Sequence, residues 1–366
     1  MGAEIRVYDK NHEWVDATER AESIIFNRDL YGTGTFEIHI SPDLGARLFR
    51  RGNIIAMGND GHKAGIVRNV VLDMSRGKCD LAVFGDMPDG MTRQRIVVPP
   101  TKAENPTAYG YERINSDAET AIKHFARRNM TESTDAERNF DRLTIAENRH
   151  RGKTFPWQAR YTNLAEEMKD ICTYAEIGYE IYLDLANDQW VFDVIAGTDR
   201  STGQTANEPI IFQPEHSNLG GYKYSEDFTS YRNTGYAGGA GDDENRLIYT
   251  LGADNAGSER VEAFLDCSGA RDITELLYYG NQRLSEHIAI QTIEADTLPK
   301  TFTFGKDYFF GDKVTLRVQK YGIQIDAVVA GVRETWERAT GYRTEIRFGE
   351  RLPNLFSLIN KKEVVR

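Results

Sequence analysis

The sequence is poor in the residues by which metal proteins and many enzymes are recognised. Cysteine occurs three times in 366 residues, at Cys79, Cys172 and Cys267. Their wide separation rules out a CxxC knuckle, and an odd count closes no complete disulfide framework. Each is expected to be a buried, reduced thiol in a chain that folds in a reducing cytoplasm. The seven histidines are scattered, with no pair at metal-ligand spacing. HExxH, GxSxG and calcium-loop patterns are absent. The three Gly-Lys pairs (77–78, 152–153, 305–306) lack the earlier glycine of a phosphate loop, and Gly32-Thr33-Gly34 is followed by Glu37 where a dinucleotide loop needs glycine. Neither a metal nor a cofactor is expected, and no residue is assigned a catalytic role.

Long apolar runs are missing too. The longest are of the size of residues 327–331, far short of the ~18 residues of a membrane span. The N-terminus has no apolar signal core, so neither a membrane span nor Sec-type export is expected. Positive charge is also in deficit: 45 Lys and Arg against 56 Asp and Glu give a formal charge of −11. A protein that grips phosphates needs clustered positive charge, which disfavours a dedicated nucleic-acid binder.

The remaining composition, 40% apolar and 28% charged, is that of a globular protein, and the length allows two or three domains. The first hundred residues read as short strands at 5–8, 14–17, 23–26, 35–40, 53–57, 64–73 and 78–84. Thr35-Phe-Glu-Ile-His-Ile40 shows the strict alternation of a half-buried strand. After Pro99-Pro100 and Asn105-Pro106, Ser116-Asp-Ala-Glu119 has the form of a capping box for a helix reaching about Met130. Residues 131–153 are polar and charged and read as an exposed loop or a stretch ordered only by a partner. A second helix follows Asn163, with Leu164, Met168, Ile171, Cys172 and Ala175 on one face. Strands at 180–185 and 190–195 complete an α+β segment. The last third holds a helix capped by Asp272 and strands at 288–294, 301–304, 313–318, 323–332 and 342–348. In the last of these, Tyr342, Thr344, Ile346 and Phe348 alternate with Arg343, Glu345 and Arg347. The fold expected is mainly β: two small antiparallel barrels, residues 1–100 and 191–350 (the second with one packed helix), around an α+β insertion, 101–190, with a tail at 351–366.

A few constellations could carry chemistry. Glu166, Glu167 and Asp170 could pair as acid and base, although a solvated polar helix face is the simpler reading. Asp242-Asp243-Glu244, after Gly238-Gly-Ala-Gly241, could bind a cation or form a mobile, solubilising hairpin tip. Phe155, Trp157, Tyr278 and Tyr279 could stack on sugars or bases, or belong to the core or a subunit interface.

The run Leu81-Ala-Val-Phe-Gly-Asp-Met-Pro-Asp-Gly-Met-Thr-Arg-Gln-Arg-Ile-Val-Val-Pro-Pro100 resembles the strand–Gly-Asp–turn–Arg–strand signature of phage tail hub proteins. Residues 231–246, a strand and Gly-rich tip ending in arginine, resemble a second signature of that group. Residues 259–266 with the following helix, and Tyr308-Phe-Phe-Gly-Asp-Lys-Val-Thr315, match its C-terminal barrel pattern. Together they resemble the siphophage baseplate hub family, the N-terminal part of tail-associated proteins. They are more distantly similar to hubs of contractile tails and type VI secretion spikes.

The resemblance spans about residues 5–350 and is weakest over 101–160. It implies a structural virion protein at the tail tip, made in the host cytoplasm. As the family implies, three copies would form a ring between a six-fold adaptor ring and a three-fold tip. The ring would contact the tape measure protein and fibre or receptor-binding proteins, and DNA would pass as cargo. An acidic or neutral lumen would suit that passage, since like charge discourages sticking. The strand around Ile323–Val332 is a candidate contact edge, and Gly311-Asp312 is expected to turn sharply on local amides. The sequence ends soon after its last strand, so the lysin or fibre extension of many family members is not expected. The competing readings are a cell-wall or polysaccharide hydrolase and a carbohydrate-binding adhesin.

Overall fold

The computed structural model describes residues 3–75, 79–101, 104, 110–297 and 301–349. The expected loop at Asn105-Pro106, the start of the strand at Lys78 and the tail at 351–366 lie outside them. The N-terminal strands are β1 (Ile5–Tyr8), β2 (Trp14–Thr18), β3 (Ser23–Asp29), β4 (Thr35–Ile40), β5 (Ile54–Met57), β6 (Asp60–Asp73) and β7 (Asp80–Asp86), with a short helix α1 (Pro42–Leu48) before β5. The middle segment comprises β8 (Glu112–Asp117), α2 (Ala118–Ala126), β9 (Leu143–Ile145), β10 (Thr154–Ala159), α3 (Leu164–Ala175), β11 (Gly178–Asp184) and β12 (Gln189–Ile195). The last part holds β13 (Asp199–Arg200), β14 (Ile211–Phe212), β15 (Leu219–Asp227), β16 (Thr234–Gly238), β17 (Ile248–Leu251), β18 (Glu262–Asp266), α4 (Ile273–Ser285), β19 (Ile290–Thr297), β20 (Lys313–Val318), β21 (Ile323–Glu337) and β22 (Gly341–Phe348).

The fold is mainly β, and its two ends share one sheet. The order is β15-β19-β22-β21-β3-β4-β7-β6-β5-β1-β2, with β20 on the first half of β21, and β13 and β14 on β20. The join is the antiparallel β3–β21 ladder, which sets Ser23 opposite Glu337 and Asp29 opposite Gly331. The strands from β1 to β7 curl around Ile5, Phe26, Phe36, Ile38, Ile55, Val67 and Val83. Alternate residues of β4, namely Phe36, Ile38 and Ile40, point into this core, as the sequence alternation required. α1, which the strand reading did not anticipate, adds Leu48 to the same core.

A larger core joins α2, α3, β11 and β12 to the inner faces of β19–β22. A third, smaller core belongs to the sheet β17-β16-β18, on which α4 packs through Leu276 and Tyr279. The helix expected on the second barrel therefore covers a separate three-stranded sheet.

Local signals explain most helix ends, with one instructive difference. Asn163 and Asp272 cap α3 and α4, their side chains accepting from Ala165 N and Glu275 N. For α2 the cap is Asp117, which accepts from Thr120 N at 2.9 Å, and not Ser116. Ser116 is held in β8 opposite Phe155 of β10. The polar stretch 131–153 is not a solvated loop throughout. It contributes β9, which runs parallel to β12, and its Arg138 and Arg151 donate to the carbonyls of Ile96 and Val194. Residues 301–304 form a turn and an isolated bridge, not a strand, because Phe302 and Phe304 pack edge-on against Phe212 and Tyr308. Cys172 and Cys267 are buried, but Cys79 is exposed beside the tip of the β6–β7 hairpin, contrary to its expected burial.

The Gly311-Asp312 turn behaves as its residue types demand. Gly311 adopts a φ of 92°, and a Cβ on Gly197 would lie 1.9 Å from the Gly311 carbonyl oxygen. Only glycine allows these two segments to cross so closely. The buried Asp312 carboxylate then accepts from Thr198 N (2.7 Å), Phe309 N (3.0 Å) and Arg200 Nε (3.2 Å). Asp312→Ala should lower unfolding stability by about 3–5 kcal/mol, since it strands two amides and a guanidinium. Arg200→Gln should cost nearer ~1 kcal/mol, because that side chain still reaches solvent. Urea denaturation of both variants checks this, and equal losses would contradict the central role of Asp312.

Candidate functional site

The signature loop after β7 is a packing junction. Gly85 lies on β7 where a Cβ would come within 2.2 Å of Ile66 O and 2.3 Å of the Phe36 ring. Asp86 faces outward and pairs with Arg68 and Arg93 at 3.2 and 3.3 Å. The chain then turns through a 3₁₀ helix, Pro88–Gln94. Asp89 is buried there and accepts from Gly34 N at 3.1 Å, tying the β3–β4 turn to the loop. Ile181 N, on β11, lies 3.5 Å from its other oxygen. Burial pushes the Asp89 carboxyl up to about 6, against the pull of those amides.

The most enzyme-like cluster lies at α2. Buried Lys123 donates to Glu119 Oε1 (2.7 Å), Asp193 Oδ1 (2.8 Å) and the Glu147 carbonyl (2.6 Å), which uses all three of its donors. Arg151 closes the other side of Glu119 at 2.7 Å through Nε. Burial alone would raise the Glu119 carboxyl, but Arg151 and Lys123 hold it down at about 2. With every donor of Lys123 engaged, the cluster works as a clamp between α2, β12 and residues 147–151.

The candidates from the sequence separate. Glu166 and Asp170 are exposed, while Glu167, expected on the same polar face, is buried and bonded to Trp157 Nε1 and Thr162 Oγ1 at 2.5 and 2.7 Å. Its partner Trp157 lies on β10, which the sequence did not reveal as a strand. Phe155, Trp157 and Tyr279 are core residues, and Tyr278 is half exposed. Asp242, Asp243 and Glu244 are exposed at a short helical turn, residues 243–245. Among the described residues, no group of three or more His, Cys, Asp or Glu is placed to hold a metal ion, and no helix is long and apolar enough to cross a membrane.

Among the surfaces open on the described residues are strand edges and a basic cleft. β2 ends the large sheet and exposes Trp14 and Val15; β15 ends it on the other side. β5 pairs β6 only as far as Ile66, so no described strand covers the outer edge of residues 69–73, where Val71 and Leu72 are exposed. The candidate edge at Ile323–Val332 is interior only at its far end, since no second described strand pairs with residues 323–328. Residues 323–328 pair with β20, and Gly331 and Val332 lie between β22 and β3. The cleft, about 260 Å³, is lined by Arg93, Arg95, Ile96, Glu137 and Arg138. Arg93 and Arg95 belong to the quoted signature, but Arg138 lies in the stretch read as a solvated loop.

The family described as Siphovirus ReqiPepy6 Gp37-like protein matches residues 4–350. No curated protein sequence matches the chain. Three solved structures share its fold nearly end to end. A tail protein from Neisseria meningitidis MC58 is 13% identical, with 96% of this chain and 97% of that one covered and a TM-score of 0.56. The 43 kDa tail protein of prophage MuSo2 from Shewanella oneidensis is 10% identical over 94% and 98%, with a TM-score of 0.59. Prophage tail protein gp18 from Listeria monocytogenes EGD-e is 11% identical over 99% of both chains, with a TM-score of 0.56.

The raised Asp89 carboxyl makes a signed pH effect. Its folded value near 6 exceeds the ordinary 3.8, so its stabilising contribution is complete below pH ~4 and is lost as pH rises through ~6. Asp89→Asn cannot ionise. The stability difference, wild type minus variant, should therefore fall by up to about 3 kcal/mol between pH 4 and pH 8. Thermal unfolding across that range tests it, and a difference that stays flat or grows would refute the assignment.

Proposed function

The chain belongs to the Siphovirus ReqiPepy6 Gp37-like family of phage tail proteins, and we propose that it is a structural baseplate hub at the distal end of a tail tube. The observation that carries this reading is a fold shared over almost its whole length with three tail proteins, two of them from prophages. In this reading, residues 1–100 and 191–350 are quasi-equivalent β-domains, each closing into a barrel in the assembly, and 101–190 is an inserted brace. The curled β1–β7 sheet and the β19–β22 strands, joined at β3–β21, are the material for two such units. Three chains then present six similar domains to a six-fold adaptor ring and a three-fold face to the tip. The tape measure protein and fibre or receptor-binding proteins are the further partners, and DNA passes through without being held. Ring closure by heterologous contacts would cover the open edges at β2, β15 and residues 69–73, which otherwise invite uncontrolled pairing.

Light scattering on the purified chain, with imaging of tail tips, tests the assignment. A mass of three chains and a location at the tip are the expected results; a chain that stays monomeric and is missing from the tip, or a ring of six whole chains, counts against it. Glu166→Gln and Asp170→Asn should leave particle infectivity within about two-fold of wild type, as surface substitutions away from packing do. Cell-wall hydrolysis by the pure protein, abolished by either change, would replace the hub reading with the hydrolase.

A further inference from the structure

Two groups of unbalanced charge lie on the described surface, of opposite sign and far apart in one chain. The first is the cleft around Arg95 and Arg138. Their bonds run to neutral acceptors: Arg95 to the carbonyls of Arg138 (2.7 Å) and Gln94 (3.1 Å), Arg138 to Ile96 O (2.6 Å), Asn129 Oδ1 (3.3 Å) and Ser133 Oγ (3.4 Å). Among the described residues neither guanidinium has a carboxylate within 4.0 Å. The Arg95 plane is further fixed over the Phe140 ring at 3.8 Å. Burial and, after it, the neighbouring Arg138 lower the pKa of Arg95. Glu137 also lines the cleft and Asp135 acts on Arg138 from beyond ion-pair distance; two rigid guanidiniums with no direct ion pair are still suited to a carboxylate or phosphate.

The second group is the tip Asp242-Asp243-Glu244, exposed and without an ion pair among the described residues. Its backbone is already fixed. Leu247 N donates to Ala240 O at 3.0 Å, Gly239 N to Leu247 O at 2.8 Å, and Arg246 Nε to Gly239 O at 3.1 Å. A preformed tip loses little conformational freedom on docking.

The two groups cannot meet within one chain. The cleft adjoins the start of α3, where Leu164 N donates to Arg95 O at 2.9 Å. That start faces the C-terminal end of α4, since Arg283 and Glu286 act electrostatically on Glu167. The tip lies at the other end of α4, where Ala240 N bonds Ala270 O at 2.8 Å. The 13 residues of α4 hold the two ends roughly 20 Å apart. Complementary patches on different parts of one molecule are what a head-to-tail ring contact uses.

We propose that the Arg95–Arg138 cleft of each copy receives the acidic tip, residues 242–244, of the next copy in the ring. The contact rests on the ring reading above and names one of its seams. It also predicts a sign that net charge does not. Neutralising three acids on an acidic chain relieves overall repulsion, which by itself favours association; if the tip docks in the cleft, the same change weakens association.

The test uses the full chain with the triple substitution Asp242→Asn, Asp243→Asn and Glu244→Gln, which is exposed and leaves the fold in place. Mass is followed by light scattering through a dilution series at fixed salt. The expected result is a shift of the association midpoint to at least tenfold higher protein concentration, matched by Arg138→Gln in the cleft. A backbone-cyclised peptide of residues 238–247 should bind the wild-type chain and bind Arg138→Gln at least tenfold more weakly. Unchanged or tighter association of the triple variant, with the wild type a ring, overturns the seam and leaves the ring standing. A monomeric wild type that still binds the peptide through Arg138 supports the seam and removes the ring, whereas no association and no peptide binding removes both. A wild type stabilised by inorganic phosphate through Arg138, with association indifferent to the tip, assigns the cleft to a free anion and overturns the proposal.

Discussion

The pairing of β3 with β21 is the contact on which the architecture depends. It joins residues 23–29 to residues 331–337, so about 300 residues of chain lie between the two sides of one ladder. Without it the sheet falls into an N-terminal and a C-terminal piece, each with a raw edge. Polar contacts reinforce the seam. Buried Glu334, opposite Phe26 in the ladder, accepts from Lys63 at 2.8 Å and from the Tyr342 hydroxyl at 2.7 Å. Lys63 comes from β6 and Tyr342 from β22, so one carboxylate binds strands from both ends of the protein. The Lys63 ammonium also lies 5.2 Å from the Trp336 ring centroid on β21.

Legibility in the sequence followed the range of the interactions. β1, β4 and β20 match their readings residue for residue because alternation and turn residues are local signals. The caps at Asn163 and Asp272 are local in the same sense. What escaped was set by distant partners. Ser116 looked like a cap until β10 claimed it as a ladder residue, and Glu119 looked like the far side of a capping box but is taken by Lys123 and Arg151. Glu167 looked solvated on helical periodicity alone, and only the buried indole of Trp157 explains its burial. The join at β3–β21 has no local signature at all. Neither does the basic cleft, because Arg95 and Arg138 are 43 residues apart and composition counts them as ordinary surface charge.

The two buried acids described in detail show how neighbours decide what burial does. Asp89 and Glu119 are both withdrawn from water. Asp89 meets only backbone amides, and its carboxyl rises; Glu119 meets Lys123 and Arg151, and its carboxyl falls. Neither opens onto a described cleft that could admit a substrate, and both tie segments distant in sequence. In this protein buried charge fixes geometry, and the exposed edges and the cleft remain as the surfaces on which other chains can act.

The distance in sequence between β3 and β21 also has a meaning in time. A ribosome adds residues at roughly 5–20 per second, so β21 emerges on the order of 15–60 s after β3. For that interval the outer edge of β3, with Ile24 and Phe26 on the strand, has no native partner. Residues 23–29 are therefore the part of the nascent chain most exposed to pairing with a neighbour on the same message.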